Sequence, residues 1–305
     1  MTAAPANKLT MTAWTLLFVL GLLWGGSFFF ARIAVAEVPP FTLVFLRLSI
    51  AALALHVYLH GRHGLYPALA GRWRQFLLLG LINNAIPHTF IFMGQTEIGA
   101  GLASILNATT PIWTVIIAQF LTSDEKLTGA KLAGCGLGLA GTVALIGPSA
   151  FEHTDIPLWA LALPLGAAIS YGFASIYSRS FRDLNSSVTA TGQLTASSLI
   201  MLPTSLLIDH PWTIAMPSPA AVASILALAL ASTAFGYILF FRLIGLAGAT
   251  NTSLVTLLVP PSAILLGALF LGEVLSTADW IGMLLIGAGL VVLDGRVLKR
   301  RPRMA

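Results

Sequence analysis

Apolar residues run along this chain in blocks of roughly twenty, separated by short polar connections. The charge-poor blocks lie near 11–31, 41–59, 75–94, 98–121, 129–147, 157–178, 187–208, 219–241, 247–271 and 278–293. A helix of about 20 apolar residues crosses a hydrocarbon core, so the pattern predicts an all-α integral membrane protein of ten transmembrane helices. The first block follows Lys8 and ends near Ala34-Val35-Ala36, which outlines a cleavable leader. Its apolar run is too long for a leader and has a counterpart in the second half, so it is read as a retained span.

Composition agrees with the pattern. Of 305 residues, 57% are hydrophobic and 9% charged, whereas soluble domains carry about a quarter charged residues. An ordinary soluble enzyme is excluded, and little chain remains for an extramembrane domain. The pI of about 9.7 points toward nucleic acid only until the charges are located. They sit between and after the apolar runs rather than on one basic face, so no nucleic-acid partner is expected. The single cysteine, Cys135, lies within an apolar run and supplies no disulfide or metal pair.

The distribution of Lys and Arg sets an orientation, because cytoplasmic loops retain them. With the N-terminus inside, the inner segments hold Lys8, Arg62, Arg72, Arg74, Lys126, Lys131, Arg179, Arg182, Arg242, Arg296, Lys299, Arg300, Arg301 and Arg303. The outer loops hold Arg32 alone, together with Glu37, Glu97, Glu152, Asp155, Asp209, Glu273 and Asp279. Both termini are expected in the cytoplasm and the protein in the cell (inner) membrane.

The two halves repeat. Ser104-Ile-Leu-Asn107-Ala-Thr-Thr-Pro111 registers on Ser253-Leu-Val-Thr256-Leu-Leu-Val-Pro260, setting span four on span nine. Glu125 then meets Glu273, Gly134 meets Gly282, and Gly141 meets Gly289; earlier, Trp24-Gly25 meets Tyr171-Gly172. A unit of five crossings places its second copy upside down. The expected organisation is therefore a first five-helix repeat over 1–150, a second, inverted one over 151–295, and a basic cytoplasmic tail over 296–305. Inverted repeats characterise many secondary transporters, which bind cargo near the midplane where the halves meet.

Trp24-Gly25-Gly26-Ser27, Leu46-Arg47-Leu48 and the doubled pattern Pro111, Glu125, Gly134, Gly141 and Pro260, Glu273, Gly282, Gly289 resemble the drug/metabolite transporter superfamily, in its ten-span EamA branch. The resemblance covers nearly the whole chain and implies a metabolite exporter, with bacterial exporters of amino acids, the aromatic ones included, among the members it resembles. It identifies a scaffold better than a cargo.

Candidate binding residues come from polar groups inside spans. Proline removes a helix hydrogen bond, so Pro111 frees the carbonyl of Asn107 and Pro260 that of Thr256. Prolines interrupting matching spans point to a transporter's binding site. At helical spacing Ser104, Asn107, Thr110 and Thr114 share one face, as do Ser253, Thr256 and Pro260; for any single serine or threonine packing between helices is the stronger reading, and Asn107, larger and harder to leave unpaired in hydrocarbon, is the exception. Span three offers Asn83, Asn84, Pro87, His88 and Gln95, with Asn84, His88 and Gln95 on one face suited to an aqueous cavity. Trp24 and Ser27 in span one, Tyr171 and Ser175 in span six, and Tyr237 in span eight complete the candidate set; Trp113 is a weaker one.

Arg47 is the one formal charge well inside a span, and a structural pairing is expected for it in preference to a gate or a carboxylate contact. No Asp or Glu lies comparably deep. His56, His60 and His63 have metal-ligand spacing but no carboxylate or cysteine nearby, so no metal and no cofactor are expected. Glu125 and Glu273 are expected to cap the helix that follows each. The glycines of spans five and ten are read as close-packing faces within the bundle or between subunits, which leaves monomer or homodimer open.

The sequence thus predicts an exporter of small neutral or zwitterionic metabolites, amino acids foremost, working by alternating access and without an evident proton relay. A proton-coupled exporter of drugs, nucleobases or other metabolites is the nearest alternative. An intramembrane enzyme is the alternative of another class, and it lacks a nucleophile or metal with a positioned base.

Overall fold

The computed structural model describes residues 10–146, 156–271 and 277–294. Lys8, Glu152, Asp155, Glu273 and the tail 296–305 lie outside the described residues. Within them the chain is helical: α1 (Met11–Val35), α2 (Pro40–Leu59), a short α3 (Leu65–Gly71), α4 (Trp73–Glu97), α5 (Ala100–Asn107), α6 (Thr110–Leu121), α7 (Gly129–Ile146), α8 (Leu158–Tyr177), α9 (Ser186–Asp209), α10 (Pro219–Ser253), α11 (Val255–Leu271) and α12 (Thr277–Asp294). Seven helical stretches are long and apolar enough to cross a membrane: α1, α2, α4, α8, α9, α10, and Leu102–Leu121, which joins α5 to α6. The segments expected as spans five, nine and ten are occupied by α7, α11 and α12.

The surface has the polarity of a membrane protein. Phe120, Leu158 and Leu284 are exposed, whereas Asn83, Asn84, Gln95, Thr114, Thr191 and Gln193 are buried. In water this arrangement would be costly; in lipid the large apolar side chains face hydrocarbon and the polar groups hydrogen-bond inside the bundle.

Local chemistry sets the helix ends. Thr10 caps α1, its hydroxyl accepting from Ala13 N at 3.2 Å, and Ser218 caps α10 in the same way through Ala221 N at 3.2 Å. Pro40 and Pro219 occupy first-turn positions, where a missing N–H costs nothing. After Leu59 the backbone passes through left-handed conformations at His60, Gly61, His63 and Gly64. The histidine spacing seen in the sequence therefore does not lie on one helix: His56 stays on α2, bonded to Thr195 at 2.9 Å, and the other two leave in the turn.

At 35 residues, α10 would be about 52 Å long if straight. It is not straight. Gly248 has φ 82° and ψ 174°, so the residues expected as span eight precede this turn and the first residues expected of span nine follow it. The carboxylate of Glu125 receives the two N–H groups beyond the turn, Ala249 N at 3.0 Å and Thr250 N at 2.7 Å. Glu125, expected to cap the helix that follows it, thus caps a helix start in the other half of the chain, where exposed N–H groups favour an anion. Arg179 pairs with Asp124 at 2.5 Å and stands 3.5 Å from Glu125.

The glycine faces find their partners within the chain. A Cβ on Gly141 would stand 2.7 Å from the Gly282 carbonyl, and one on Gly289 would stand 2.7 Å from the Gly134 carbonyl. The residues matched by the internal repeat, Gly134 with Gly282 and Gly141 with Gly289, exchange partners across this α7–α12 contact. That is what a pseudo-twofold relation between two copies requires. These glycines serve intrachain packing and are not free for a subunit interface.

Candidate functional site

Two π-helical turns shape the centre of the bundle, Leu81–Ala85 in α4 and Leu228–Phe235 in α10. They start 147 residues apart, the spacing that sets Trp24 on Tyr171. A π turn inserts an extra residue into the helix and loosens its hydrogen-bond ladder. Carbonyls of these turns then accept from side chains of other helices. Trp24 Nε1 donates to the Ser232 carbonyl at 3.0 Å, Tyr237 Oη to the Asn83 carbonyl at 3.0 Å, and Ser170 Oγ to the Ile82 carbonyl at 2.6 Å. Ser232 Oγ donates back to the Leu23 carbonyl at 2.9 Å, so α1 and α10 are clamped by reciprocal bonds. Gly236 makes the clamp possible, since a Cβ there would lie 2.9 Å from Trp24 Nε1.

Between these elements lies a cavity with about 710 Å³ of unfilled space, its mouth included. Of the residues singled out from the sequence, Trp24, Ser27, His88, Gln95, Asn107, Thr110, Tyr171, Ser175, Tyr237 and Thr256 line it. Matched positions of the two repeats both contribute to the lining: Trp24 and Tyr171, Phe28 and Ser175, and Asn107 and Thr256.

Asn84, Pro111 and Pro260 do not border the cavity. For Asn84 the reason is the π turn. Seven-and-four spacing puts Asn84 on the face of His88 and Gln95 in a regular helix, but the extra residue rotates that face onto Asn83. Asn84 instead donates to Ser197 Oγ at 2.8 Å, between α4 and α9. Pro111 and Pro260 act on the backbone. The carbonyl that Pro111 frees accepts from Thr110 Oγ1 at 2.6 Å, so it is already occupied, and the chain breaks into α5 and α6 just before the proline.

Sequence reasoning missed the aromatic lining supplied by Phe28 and Phe92. Each stands four residues beyond a candidate, Trp24 and His88, so helical spacing alone could have found them. The ring of His88 stacks against Phe92 at 6.3 Å and meets Tyr171 edge-on at 6.4 Å.

Arg47 also lines the cavity. Its partners are hydroxyl groups: among the described residues no carboxylate lies within salt-bridge distance. Its Nε donates to Thr233 Oγ1 at 2.6 Å, Nη2 reaches Ser27 Oγ at 3.5 Å, and its guanidinium lies 5.8 Å from the Phe92 ring centre. Thr233 spends its own proton on the Leu228 carbonyl at 2.7 Å, a contact made within the π turn, which turns its lone pairs toward Arg47. Among the described residues, three buried atoms of the lining have no hydrogen-bond partner: His88 Nδ1, Gln95 Oε1 and Asn107 Oδ1.

The comparisons with known proteins agree with this architecture. The family model of the EamA-like transporter family matches twice, over residues 11–147 and 158–293. The inner membrane transporter YedA of Escherichia coli (strain K12) is 27% identical, with 95% of this chain and 93% of that protein covered. A probable terminal-alkyne amino-acid exporter of Streptantibioticus cattleyicolor is 24% identical over 96% of this chain and 97% of its own length. A solved crystal structure, 22% identical, superposes with a TM-score of 0.76 over 95% of this chain and 99% of that one, and shows the same fold. With both halves of the chain matched, this multi-pass membrane protein belongs to the EamA-like transporter family of the drug/metabolite transporter superfamily.

Proposed function

We propose that this transporter exports small neutral or zwitterionic metabolites, amino acids above all, aromatic and other apolar ones foremost. Cargo binds in the central cavity, which opens alternately to either side as two inverted five-helix repeats, 1–150 and 151–295, rock against each other. In this reading ten helices cross the inner membrane, both termini and the basic tail 296–305 are cytoplasmic, and transport runs downhill without a coupled proton. The protein is a carrier and not an enzyme.

The observation that carries the reading is the lining itself. Aromatic rings from both halves (Trp24, Phe92, Tyr171, Tyr237) line the cavity together with uncharged hydrogen-bonding groups (Asn107, Gln95, Thr110, Ser175, Thr256), and among the described residues no carboxylate lines it. Rings accept an apolar side chain and attract an ammonium group; amides and hydroxyls replace the water around a polar backbone. The resemblance to a probable amino-acid exporter supports the cargo class. A proton-coupled drug or nucleobase exporter is the second reading, and it rests on His88, whose imidazole lines the cavity.

Uptake of labelled phenylalanine, methionine and threonine into proteoliposomes, against empty liposomes and with and without a pH gradient, separates these. Saturable uptake at equal pH is the expected result. Uptake that requires the gradient replaces the facilitator with the proton-coupled reading, and the absence of uptake for all three removes amino acids as cargo.

A further inference from the structure

We infer that Arg47 is the carboxylate anchor of the cavity, so that cargo must carry an anionic group opposite an ammonium. The inference rests on the amino-acid reading and narrows it to a residue and a charge. Arg47 is only 6% exposed, and a buried guanidinium without a counter-charge is expensive in protein and more so at membrane depth. The side chain has five N–H donors, of which Nε is taken by Thr233 and Nη2 has one long contact to Ser27. The residue borders the cavity with no carboxylate among the described residues to meet it. An arriving carboxylate meets a planar fork that matches it in two parallel bonds, and it supplies the charge the protein omits.

The remaining orphan groups complete the match. Gln95 Oε1 and Asn107 Oδ1 are buried acceptors in the same lining with nothing to accept. An ammonium group has three donors and no acceptor, which is what those oxygens lack. One unpaired cation and a pair of unpaired acceptors around one cavity are complementary to a zwitterion. A cationic drug would face Arg47 uncompensated, and a phosphate dianion would find a single positive charge.

The contact that holds Arg47 has an uncharged parallel elsewhere in the bundle. In α9, Gln193 makes a comparable contact without a charge: its Oε1 accepts from Asn83 Nδ2 at 2.9 Å, in the π turn of α4, as Thr233 in the π turn of α10 accepts from Arg47. Of these two contacts between a helix and a π turn, the one made by Arg47 carries a charge.

The test is inhibition of phenylalanine uptake into proteoliposomes by phenylalaninamide, which keeps ring and ammonium and loses the carboxylate, and by unlabelled phenylalanine. For the wild-type protein the amide is expected to compete at least about tenfold more weakly. In Arg47→Gln the advantage of phenylalanine over its amide disappears, while Arg47→Lys keeps part of it with a raised KM. Equal competition by acid and amide in the wild type, which needs no variant to fold, overturns the assignment and leaves the amino-acid reading standing. An Arg47→Gln protein that still prefers the acid tenfold overturns it as well. Failure of the wild type to take up any amino acid instead overturns the reading beneath it.

Discussion

Arg47 Nε donates to Thr233 Oγ1 at 2.6 Å, from α2 in the first half of the chain to a π turn in the second. The bond exists because the π turn lets Thr233 reach back to the Leu228 carbonyl, leaving its oxygen free to accept. An irregularity in one repeat thereby aims the charge contributed by the other.

Thr233→Val removes the acceptor and keeps the shape. A buried donor left without a partner costs about 1–3 kcal/mol, so the purified protein is expected to melt several degrees lower, and phenylalanine KM to rise as the guanidinium loses its position. Thr233→Ser restores the oxygen and both properties. Thermal melts in detergent beside uptake kinetics decide it; equal melting of wild type and Thr233→Val would show that the bond does not hold Arg47.

The α7–α12 contact separates glycines by what surrounds them. Gly141→Ala and Gly289→Ala each push a methyl to 2.7 Å from the backbone of the facing helix, and the helices must part. Gly136→Ala and Gly287→Ala meet nothing within 4 Å and gain the better helix propensity of alanine, about 1 kcal/mol. Melts of the four variants are expected to fall for the first two and to hold or rise for the others. The reverse order would deny that the glycines serve close approach.

Much of this architecture is legible in the amino-acid sequence. Apolar blocks mark the helices, since burial in lipid needs length and little else. The matched Gly134, Gly141, Gly282 and Gly289 mark the repeat. What escapes sequence reasoning is whatever depends on irregular backbone. A regular helix puts Asn84 on the cavity face, and only the π turn brings Asn83 forward in its place. An acid near a helix start ordinarily caps that helix, whereas Gly248 turns a distant segment into reach of Glu125. Burial demands a partner for Arg47, and the demand is met by hydroxyls and an open cavity instead of a carboxylate.

Gly248→Ala tests that turn. An alanine there keeps φ near 82° only under strain, and its methyl would stand 2.6 Å from Glu125 Oε1. Non-glycine residues in such conformations cost about 1–3 kcal/mol. The expected result is a lower melting temperature, whereas Gly245→Ala, three residues earlier in open space, changes little. If the two variants melt together, the capping of Ala249 and Thr250 by Glu125 contributes nothing to stability.

The Arg179–Asp124 pair gives a pH dependence with a defined sign. A hydrogen bond from Arg179 holds the Asp124 carboxyl below the usual aspartate value. A depressed folded-state pKa means stability that is present above the unfolded pKa, about 3.9, and lost as pH falls through the lower folded value. The melting difference between wild type and Asp124→Asn is therefore flat from neutral pH down to about pH 5 and shrinks below about pH 4. The carboxylate is half exposed, so the difference is small and salt-sensitive. A gap that grows on acidification contradicts the pairing.

Asn107→Leu separates a binding role from a structural one more sharply than any other single change. Asn107 Oδ1 is buried without a partner, so its desolvation is a cost the folded protein already bears. Replacing the amide by an apolar side chain of similar volume removes that cost and leaves no partner stranded, which is neutral or stabilising. The variant is expected to insert normally and melt at or above the wild type, while phenylalanine uptake falls about tenfold or more for want of an acceptor to the ammonium. A protein selected for packing alone would show the opposite, lower stability with transport in proportion to the folded fraction. Cys135→Ala serves as the reference, since Cys135 is a free thiol that does not line the cavity, and its transport per folded molecule is expected to match the wild type. Wild-type uptake by Asn107→Leu in the same vesicles would remove Asn107 from the site, whatever its stability.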